Sequence, residues 1–577
     1  MKKRWFVVIL TIGLLLCVMP LSALALSSDP ITDSDGNIIC WEDLSTDLYS
    51  FDVSDVSDVS QEQTPVAVDP GTNAASGPAE TDPVKDAADA NSAKTAAAAT
   101  TPFVEDLYAD DPIPDLYADT PGSADGTGSD QAVCAINGKT YATLTDAIND
   151  AADGAQIDLL QDIELTEGLS FYNKKLTISG GSLNRTLTLK GIGIYASGSN
   201  ITFENLTLHI YAHIHPNQNG GAANLITSTN LCLDDVDFEL ISDTPTDGGA
   251  GLYMERGSNL YLDNGTHAVI RDFNGYKASG IYAEETDYDP NEGKIEINSS
   301  YLEVTGCYHA GLLIDPLDLT LTSSEVVLEK NGCHGYGFGL ACYDGKVTLL
   351  SSTIKATENN TGGYYGFGVF AGELEVDGGS TLIASDNGVG GLGVGAESVI
   401  HGGAQVYCEH NGESDAGCAG GLVVHAEHYD DSTYEGELTI ESGAYVYARN
   451  NVGLSGLLNE WILNIEGGAT VIIDGNSQLG FANSFDARTT IKSGANVSVN
   501  NNLHGIYNYS GGGDLAWATG FFLIEGGANV TANNNKQFGI YNSGDSKTPT
   551  NDHFTIQGDA VISADGNVGA AFAFCNM

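Results

Sequence analysis

The sequence predicts an all-β protein: a parallel β-solenoid with a short capping helix at the start of its ordered part. One pattern is written four times near the C-terminus: LTIESGAYVYARN (438–450), LNIEGGATVIIDGN (463–476), TTIKSGANVSVN (489–500) and FLIEGGANVTAN (522–533). Each copy alternates apolar and polar residues on both sides of a glycine corner and ends near an asparagine corner, which a third short strand follows. Three such strands cannot bury their inner faces alone, but stacked copies can.

The same pattern continues upstream and fixes where successive coils begin. We expect first strands to start at Leu231, Leu260, Ile295, Leu319, Val347, Leu374, Val399, Leu438, Leu463, Thr489, Phe522 and Phe554. Most of these spacings are shorter than the roughly forty residues of a β-propeller blade, which disfavours that architecture. The corner asparagines are interpreted as structural, because asparagine tolerates left-handed turns and stacked amides can form a ladder; they are Asn450, Asn476, Asn501, Asn534 and Asn567.

The first 25 residues have the features of a secretory signal peptide. A basic segment (2–4) precedes an apolar run (5–21), and a small-x-small cleavage motif follows at 23–25. A transmembrane anchor is the alternative, but the apolar run is short for a membrane span and no later segment is long and apolar enough. We therefore expect a secreted, extracellular protein that has no membrane span after signal cleavage. Such a protein can still associate with a cell surface.

Residues 26–130 are predicted to be a disordered acidic linker. This segment is rich in Asp, Ala, Ser, Thr and Pro, and Lys85 and Lys94 are its basic residues. Such a composition cannot bury enough apolar surface to offset the entropy cost of ordering.

A short amphipathic helix is predicted where order begins. Thr143 and Asp146 have capping-box spacing, and Leu144, Ile148 and Ala151 share one face. A strand follows at once, so the helix would cover the open edge of the first coil, as the N-terminal cap of a solenoid must.

The segment YATLTDAINDAADGAQIDL (141–159) resembles the start of the pectin-lyase-like right-handed parallel β-helix proteins. More narrowly, it resembles secreted surface proteins of gut-type Gram-positive bacteria. The resemblance implies a right-handed parallel β-helix over residues 131–577. It is specific for the fold and not for an activity, since that superfamily contains lyases, hydrolases, phage tailspikes and non-catalytic adhesins.

The C-terminal end of the predicted solenoid has no recognisable cap. An ordinary coil (554–574) is followed only by residues 575–577, which would leave strand edges open. We therefore expect either that the sequence is truncated after Met577 or that the last coil is poorly covered.

The charge balance narrows the classes of partner. The chain has 77 Asp and Glu against 22 Lys and Arg, a formal net charge of −55. Nucleic acid is excluded as a partner, because phosphate binding depends on clustered basic residues. Host or environmental glycans and surface proteins remain, and the sequence leaves the oligomeric state undetermined.

The first half of the chain contains a candidate catalytic site. The resemblance implies that lyases of this fold use calcium-binding carboxylates with an Arg or Lys base, and that hydrolases use close Asp residues with Gly-His-Gly and Arg-x-Lys segments. Neither of those two segments is present. The catalytic candidates are Asp234, Asp235 and Asp237, with Asp235 and Asp237 expected on one strand face and Arg256 and Arg271 in following coils. The alternative is a set of solvated carboxylates on an acidic protein.

Two further groups are candidate metal ligands. His209, His213 and His215 alternate outward on one strand, and neutral imidazoles two residues apart point the same way. Glu397, Glu427 and Glu460 end similar strands, so we expect them to stack and to bind calcium weakly. No cofactor is required, and calcium is the candidate ion. For the histidines, the alternatives are a flat His/Tyr strip that stacks on sugars and an ordinary surface strand. For the glutamates, the alternative is that their side chains splay into water.

The cysteines are predicted to be free, buried thiols. Ten cysteines are scattered without paired spacing, which disfavours a zinc site. The alternative is a disulfide between Cys307 and Cys333, which occupy equivalent places in neighbouring coils.

Taken together, these patterns predict an exported, non-catalytic surface β-helix that mediates adhesion by binding glycans or proteins. One alternative is a calcium-assisted polysaccharide lyase or glycoside hydrolase. The other is a purely structural stalk.

Overall fold

The computed structural model describes most of the chain from residue 132 onwards. The described ranges are 132–191, 193–212, 222–242, 249–255, 257–284, 293–332, 336–361, 363, 365–412, 420–425, 427–429, 432–434, 436–484, 487–509, 520–544 and 553–576. The predicted signal peptide (1–25) and acidic linker (26–130) lie outside the described residues, and they stay predictions.

Each coil contributes one strand to each of three parallel stacks, and four long strands serve two stacks at once. The first stack contains β3 (Ala155–Leu159), β6 (Lys175–Ser179), the first parts of β9 (Asn200–Ala212) and β11 (Asn230–Ser242), β13 (Asn259–Asp263), β16 (Lys294–Asn298), β19 (Asp318–Thr322), the last parts of β21 (Tyr336–Leu350) and β23 (Tyr365–Val376), β26 (Glu397–Ile400), β31 (Glu437–Ile440), β34 (Ile462–Ile465), β37 (Arg488–Ile491), β40 (Phe521–Ile524) and β43 (His553–Ile556).

The second stack contains β4 (Ile163–Leu165), β7 (Arg185–Gly191), the last parts of β9 and β11, β14 (His267–Arg271), β17 (Tyr301–Thr305), β20 (Glu325–Glu329), β22 (Thr353–Thr357), β24 (Thr381–Ser385), β27 (Gln405–Glu409), β32 (Tyr445–Arg449), β35 (Thr470–Asp474), β38 (Asn496–Asn500), β41 (Asn529–Thr531) and β44 (Val561–Ser563).

The third stack contains β5 (Leu169–Tyr172), β8 (Ile194–Ser197), β10 (Ala222–Thr227), β12 (Ala250–Glu255), β15 (Ser279–Glu284), β18 (Ala310–Asp315), the first parts of β21 and β23, β25 (Gly390–Val394), β28 (Gly420–Val424), β33 (Ser455–Asn459), β36 (Leu479–Asn483), β39 (His504–Tyr509), β42 (Phe538–Gly544) and β45 (Ala570–Asn576). Outside the stacks, β29 (Glu427–Tyr429) and β30 (Ser432–Tyr434) form an antiparallel hairpin. The nearly all-β parallel solenoid predicted from the sequence is confirmed.

Inward residues of all three stacks form one continuous apolar core. Leu438, Leu463, Thr489 and Phe522 lie in one column of residues that are fully buried. The predicted coil starts from Leu231 to Phe554 share this column with one exception. Ser398, not Val399, is the residue level with Leu438, and its hydroxyl accepts a hydrogen bond from the Leu374 N–H at 3.0 Å. Strand alternation therefore gave Val399 the wrong face.

The corner between the second and third stacks carries an asparagine ladder. In the ladder each Nδ2 donates to the Oδ1 of the next asparagine, at 2.9–3.3 Å where both amides are buried. The ladder runs through Asn331, Asn359, Asn387, Asn411, Asn451, Asn476, Asn502 and Asn535 and ends at Asn567, whose Oδ1 accepts from the Asn535 N–H. The residue before each ladder asparagine is left-handed. The predicted set thus mixes two positions: Asn476 and Asn567 belong to the ladder, and Asn450, Asn501 and Asn534 are the left-handed residues.

Glycines of the third stack make room for this ladder. A Cβ built at Gly421 would lie 2.7 Å from the Asn451 Nδ2, and one at Gly456 would lie 2.4 Å from the Asn476 Nδ2. Such distances are below van der Waals contact, so a side chain there would displace the buried amide. The buried amides of the ladder therefore require glycine at these positions of the third stack.

The N-terminal end of the solenoid is covered by a helix, as predicted. Helix α1 (Leu144–Asp150) has Thr143 as its N-cap, and the Thr143 hydroxyl accepts from the Asp146 N–H at 3.1 Å. Leu144, Ala147 and Ile148 are buried on the core. Strand β1 (Cys134–Ile136) pairs antiparallel with both β2 (Lys139–Tyr141) and β3, which covers the open side of the first coil.

Three cysteines agree with the prediction of free, buried thiols. Cys134, Cys342 and Cys408 are buried and not in disulfides, and burial raises the pKa of each, that of Cys134 to about 11. Cys333 lies outside the described residues, so the alternative disulfide with Cys307 stays a prediction. None of the helices in the described part of the chain is long and apolar enough to span a membrane.

Candidate functional site: the outward face of the second stack

The second stack presents a regular lateral surface. Its strands alternate buried and solvent-facing residues, so each contributes two or three outward side chains. Register pairing places outward residues of successive coils in straight columns perpendicular to the strands. Parts of two columns define a surface that we call the polar strip: Gln405, Tyr445, Thr470, Asn496 and Asn529, beside Tyr407, Tyr447, Ile472, Ser498 and Thr531. Upstream, the same columns continue through Thr381 and Ile383.

Tyrosines occupy one end of the polar strip. The rings of Tyr407 and Tyr447 stack with centroids 4.9 Å apart and planes within 3°. Because each ring covers a face of the other, this pair offers mainly its edges and hydroxyls to solvent. Tyr445 is different: its side chain is 43% exposed, and it lies between Gln405 and Thr470 in its column. It is the aromatic residue of this surface best placed to receive a ligand.

One ion pair borders these tyrosines. The Arg449 Nε donates to the Glu409 Oε1 at 2.5 Å, and the Arg449 guanidinium lies 5.0 Å from the centre of the Tyr447 ring. Asp474 is level with Arg449 on the next coil. The cation is therefore already engaged on one side by a carboxylate and on the other by an aromatic face.

The other end of the polar strip is built from amides and hydroxyls. The Asn529 Nδ2 lies 3.4 Å from the Asn496 Oδ1, and the Thr531 hydroxyl lies 3.3 Å from the Ser498 Oγ. All ten residues of the strip are uncharged, although the whole chain carries a formal charge of −55. The strip thus combines an aromatic surface with many hydrogen-bonding groups, and its ten side chains carry no net charge.

The predicted catalytic aspartates lie where the first stack passes into the second. Asp235 has φ +53° and forms the corner itself. Asp235 and Asp237 are both exposed, on either side of the buried Val236, as expected from alternation. The Asp234 Oδ1 accepts from the Asn264 Nδ2 at 2.6 Å, and the Asp237 Oδ1 lies 3.5 Å from the His267 Nδ1.

The basic residues expected near those aspartates do not complete a catalytic group in the described part of the chain. Arg271 donates to the Glu239 Oε1 at 2.9 Å and to the Asp272 Oδ2 at 2.7 Å. Hydrogen bonding to Glu239 is the main reason that the pKa of Arg271 rises further, which makes it a poor base. Arg256 lies outside the described residues. A catalytic role for Asp234, Asp235 and Asp237 stays a prediction.

The predicted histidine site can be placed only in part. His209 faces outward on the second stack, level with Thr188 on one side and Glu239 on the other. His213 and His215 lie outside the described residues, so their role as ligands stays a prediction. Over the described residues, no group of three or more His, Cys, Asp and Glu side chains is arranged to hold a metal ion.

The predicted column of Glu397, Glu427 and Glu460 does not form. Glu397 is level with Glu437, and Glu427 begins the hairpin that leaves the stack. Glu460 is 8% exposed, and its Oε2 lies 3.2 Å from the Nδ1 of the buried His425. The expectation fails because the inserted hairpin takes Glu427 out of the stack, and because Glu460 directly follows Asn459, which is level with Val424 and not with the residue before Glu427. Calcium binding by these residues stays a prediction, without the stacking on which it was based.

A charged cluster that sequence reasoning missed lies at the corner between the first and second stacks. His401 contacts the Glu441 Oε2 through Nδ1 at 2.9 Å and the Glu375 Oε1 through Nε2 at 3.3 Å. Burial alone would lower the pKa of His401, but the two carboxylates outweigh it and raise the pKa. Lys346 contacts Glu375 from the other side at 2.8 Å. The sequence does contain a signal for this cluster, because His401, Glu441 and Glu466 occupy equivalent corner positions in successive coils.

Comparisons with known proteins find no family and only distant structural likenesses. No protein-family model matches the chain, and a search of curated proteins finds no match. Solved structures similar to this chain include three crystal structures of the periplasmic alginate epimerase AlgG. A point mutant is 10% identical with a TM-score of 0.25, a double mutant is 12% identical with a TM-score of 0.24, and the unmutated protein is 12% identical with a TM-score of 0.23.

Each of these likenesses covers 74% of this chain and 85–86% of the matched chain. The identities and TM-scores are too low to carry an argument about activity. The chain has the parallel β-helix architecture that the sequence resemblance implied, and its function must be argued from its own surface.

Proposed function

We propose that this chain is an exported, non-catalytic surface β-solenoid that binds glycans on the outward face of its second stack. The observation that carries the proposal is the polar strip, where the exposed ring of Tyr445 adjoins a continuous set of amide and hydroxyl groups. Sugars present both apolar C–H faces and hydroxyl groups, so aromatic and uncharged polar side chains together suit them.

A protein partner is the less suitable ligand for this surface. Stable protein interfaces have a desolvated centre rich in aromatic residues, Met and Arg. Here Asn496, Asn529, Ser498 and Thr531 occupy four of the ten positions of the strip. Binding a dry protein surface would leave several of their polar groups without partners, at a cost for each.

A glycan array followed by calorimetry tests the proposal. The secreted protein should bind one or more immobilised glycans, and Tyr445→Ala should weaken binding about tenfold through loss of the ring contact. Tyr172→Ala is the matched control, since Tyr172 is 56% exposed on the third stack and should not affect binding. Absence of binding to every glycan would overturn the proposal and leave protein binding, catalysis and the structural stalk as the alternatives.

The catalytic alternative is tested in the same preparation. Incubation with uronic-acid and neutral polysaccharides should release neither unsaturated nor reducing-end product. Product that disappears in Asp234→Asn or Asp237→Asn would contradict the non-catalytic half of the proposal.

A further inference from the structure

We infer that the polar strip binds an uncharged polysaccharide segment that lies parallel to the solenoid axis, across the strands. This inference rests on the glycan-binding function proposed above and adds the charge class of the ligand and its direction.

The charge class follows from the cations that border the strip. Arg449 is held by Glu409, and Lys492, at the preceding corner, is held by the Glu466 Oε1 at 2.5 Å. A uronate carboxylate would have to compete with Glu409 or Glu466 for either cation and would also face Asp474. On a chain with formal charge −55, nothing offsets that repulsion. A cationic sugar would find no carboxylate among the ten residues of the strip itself.

The direction follows from the columns. Along one strand, only Tyr445 and Tyr447 belong to the strip before the charged Arg449 is reached. Along the axis, one column continues through Gln405, Tyr445, Thr470, Asn496 and Asn529. Those five positions span four strand spacings, or about 19 Å at about 4.8 Å each. The uncharged surface is therefore long along the axis and narrow across it, so an extended ligand makes most of its contacts when it runs along the axis.

The strip also predicts how affinity depends on ligand length. Each further sugar along the axis reaches another coil and another hydroxyl or amide, as Thr470, Asn496 and Asn529 succeed one another. Affinity should therefore rise with the number of sugars as long as each added sugar reaches a further residue of the strip.

Calorimetry with defined oligosaccharides tests both parts. The probes are neutral gluco-, xylo- and manno-oligosaccharides from dimers to hexamers, and oligogalacturonates and chitosan oligomers of the same lengths. At least one neutral series should bind with affinity that increases with length, and the oligogalacturonates should bind at least tenfold more weakly. Chitosan oligomers, which the acidic chain attracts in general, should lose affinity as salt is raised, whereas the neutral series should not. Asn529→Asp should weaken the longest neutral ligand about fivefold by replacing an amide donor with a carboxylate, and should leave the dimer unaffected if the dimer occupies the tyrosine end.

The outcomes separate the two proposals. Binding of oligogalacturonate as tightly as a neutral series would overturn the charge class, and affinity independent of length would overturn the axial direction, while both results would leave glycan binding intact. Absence of heat with every sugar would overturn the proposed function itself. Tyr172→Ala serves again as the control, and an unchanged melting temperature shows that each variant is folded.

Discussion

At the scale of single residues, the most constrained side chains are the amides of the asparagine ladder. The Asn411 Oδ1 accepts from the Asn387 N–H at 3.1 Å, and the Asn411 Nδ2 donates to the Ala384 carbonyl at 2.8 Å. Asn411 is fully buried, so water cannot replace these partners. The ladder therefore satisfies backbone groups that the turn would otherwise leave unpaired.

Asn411→Ala should destabilise the surrounding coils by about 3 kcal/mol, because it leaves a buried N–H and a buried carbonyl without partners. Amide hydrogen exchange measured across β24, β27 and β32 should show the loss as faster exchange. Asn529→Ala is the matched control, since Asn529 is exposed on the second stack and should cost less than about 0.5 kcal/mol. Equal effects of the two substitutions would show that a ladder asparagine contributes no more to the free energy of unfolding than an exposed asparagine does.

His401 gives a pH dependence whose sign follows from its two carboxylates. Glu441 and Glu375 raise its pKa above the unfolded value, against the opposing effect of burial. The folded protein therefore binds the proton more tightly, so this contribution is fully present below the unfolded pKa and is lost as pH rises through the folded pKa. For a pair this exposed, the contribution is about 0.2–1 kcal/mol.

His401→Gln should accordingly lower the melting temperature more at pH 5.5 than at pH 8.5. Melting curves of both proteins at the two pH values, at one ionic strength, make the comparison. His410→Gln is the control, because its nearest carboxylate, that of Asp386, is 3.8 Å away. A difference between His401→Gln and the native protein that does not depend on pH would contradict the argument.

At the scale of elements, the sequence predicted what repeats and missed what interrupts repetition. The column through Leu438, Leu463 and Thr489 could be predicted because alternation and glycine corners recur at near-constant spacing. Val399 and Glu427 were misplaced for a physical reason: the corner before β26 decides which of its residues face the core, and the inserted hairpin takes Glu427 out of the stack. Neither feature has a local signature in the sequence. The polar strip was missed in the same way, since it exists only once columns are aligned.

The contribution of helix α1 to stability can be measured separately from that of the coils. Thr143→Ala removes the side-chain acceptor of the Asp146 N–H and should cost about 1 kcal/mol locally. Because coils of a solenoid contact mainly their neighbours, the effect should be confined to the N-terminal end. Hydrogen exchange should become about fivefold faster in α1 and unchanged in β34 and β37. Thr143→Ser keeps the cap and should restore slow exchange; a uniform change along the chain would contradict nearest-neighbour stability.

At the scale of the whole molecule, net charge should govern how ions affect stability. Residues 131–577 contain 54 Asp and Glu against 17 Lys and Arg, and this excess of negative charge destabilises a compact state through self-repulsion. Salt screens that repulsion as the Debye length falls from about 10 Å at 0.1 M to about 3 Å at 1 M. The melting temperature should therefore rise with sodium chloride. The same reasoning separates general screening from specific calcium binding, because Glu397, Glu427 and Glu460 do not form the stacked column that would have given calcium a dedicated site.

Calcium and magnesium at equal ionic strength should thus raise the melting temperature by the same amount, since screening depends on charge and concentration and not on coordination geometry. Thermal melts in matched series of the two chlorides make the test, and calorimetric titration with calcium should show no saturable heat. Glu397→Gln should shift both series equally. A saturable increase with calcium that magnesium does not reproduce, and that Glu397→Gln or Glu460→Gln removes, would demonstrate a calcium site despite the register of these residues. The stabilisation by calcium would then be the sum of general screening and binding at that site.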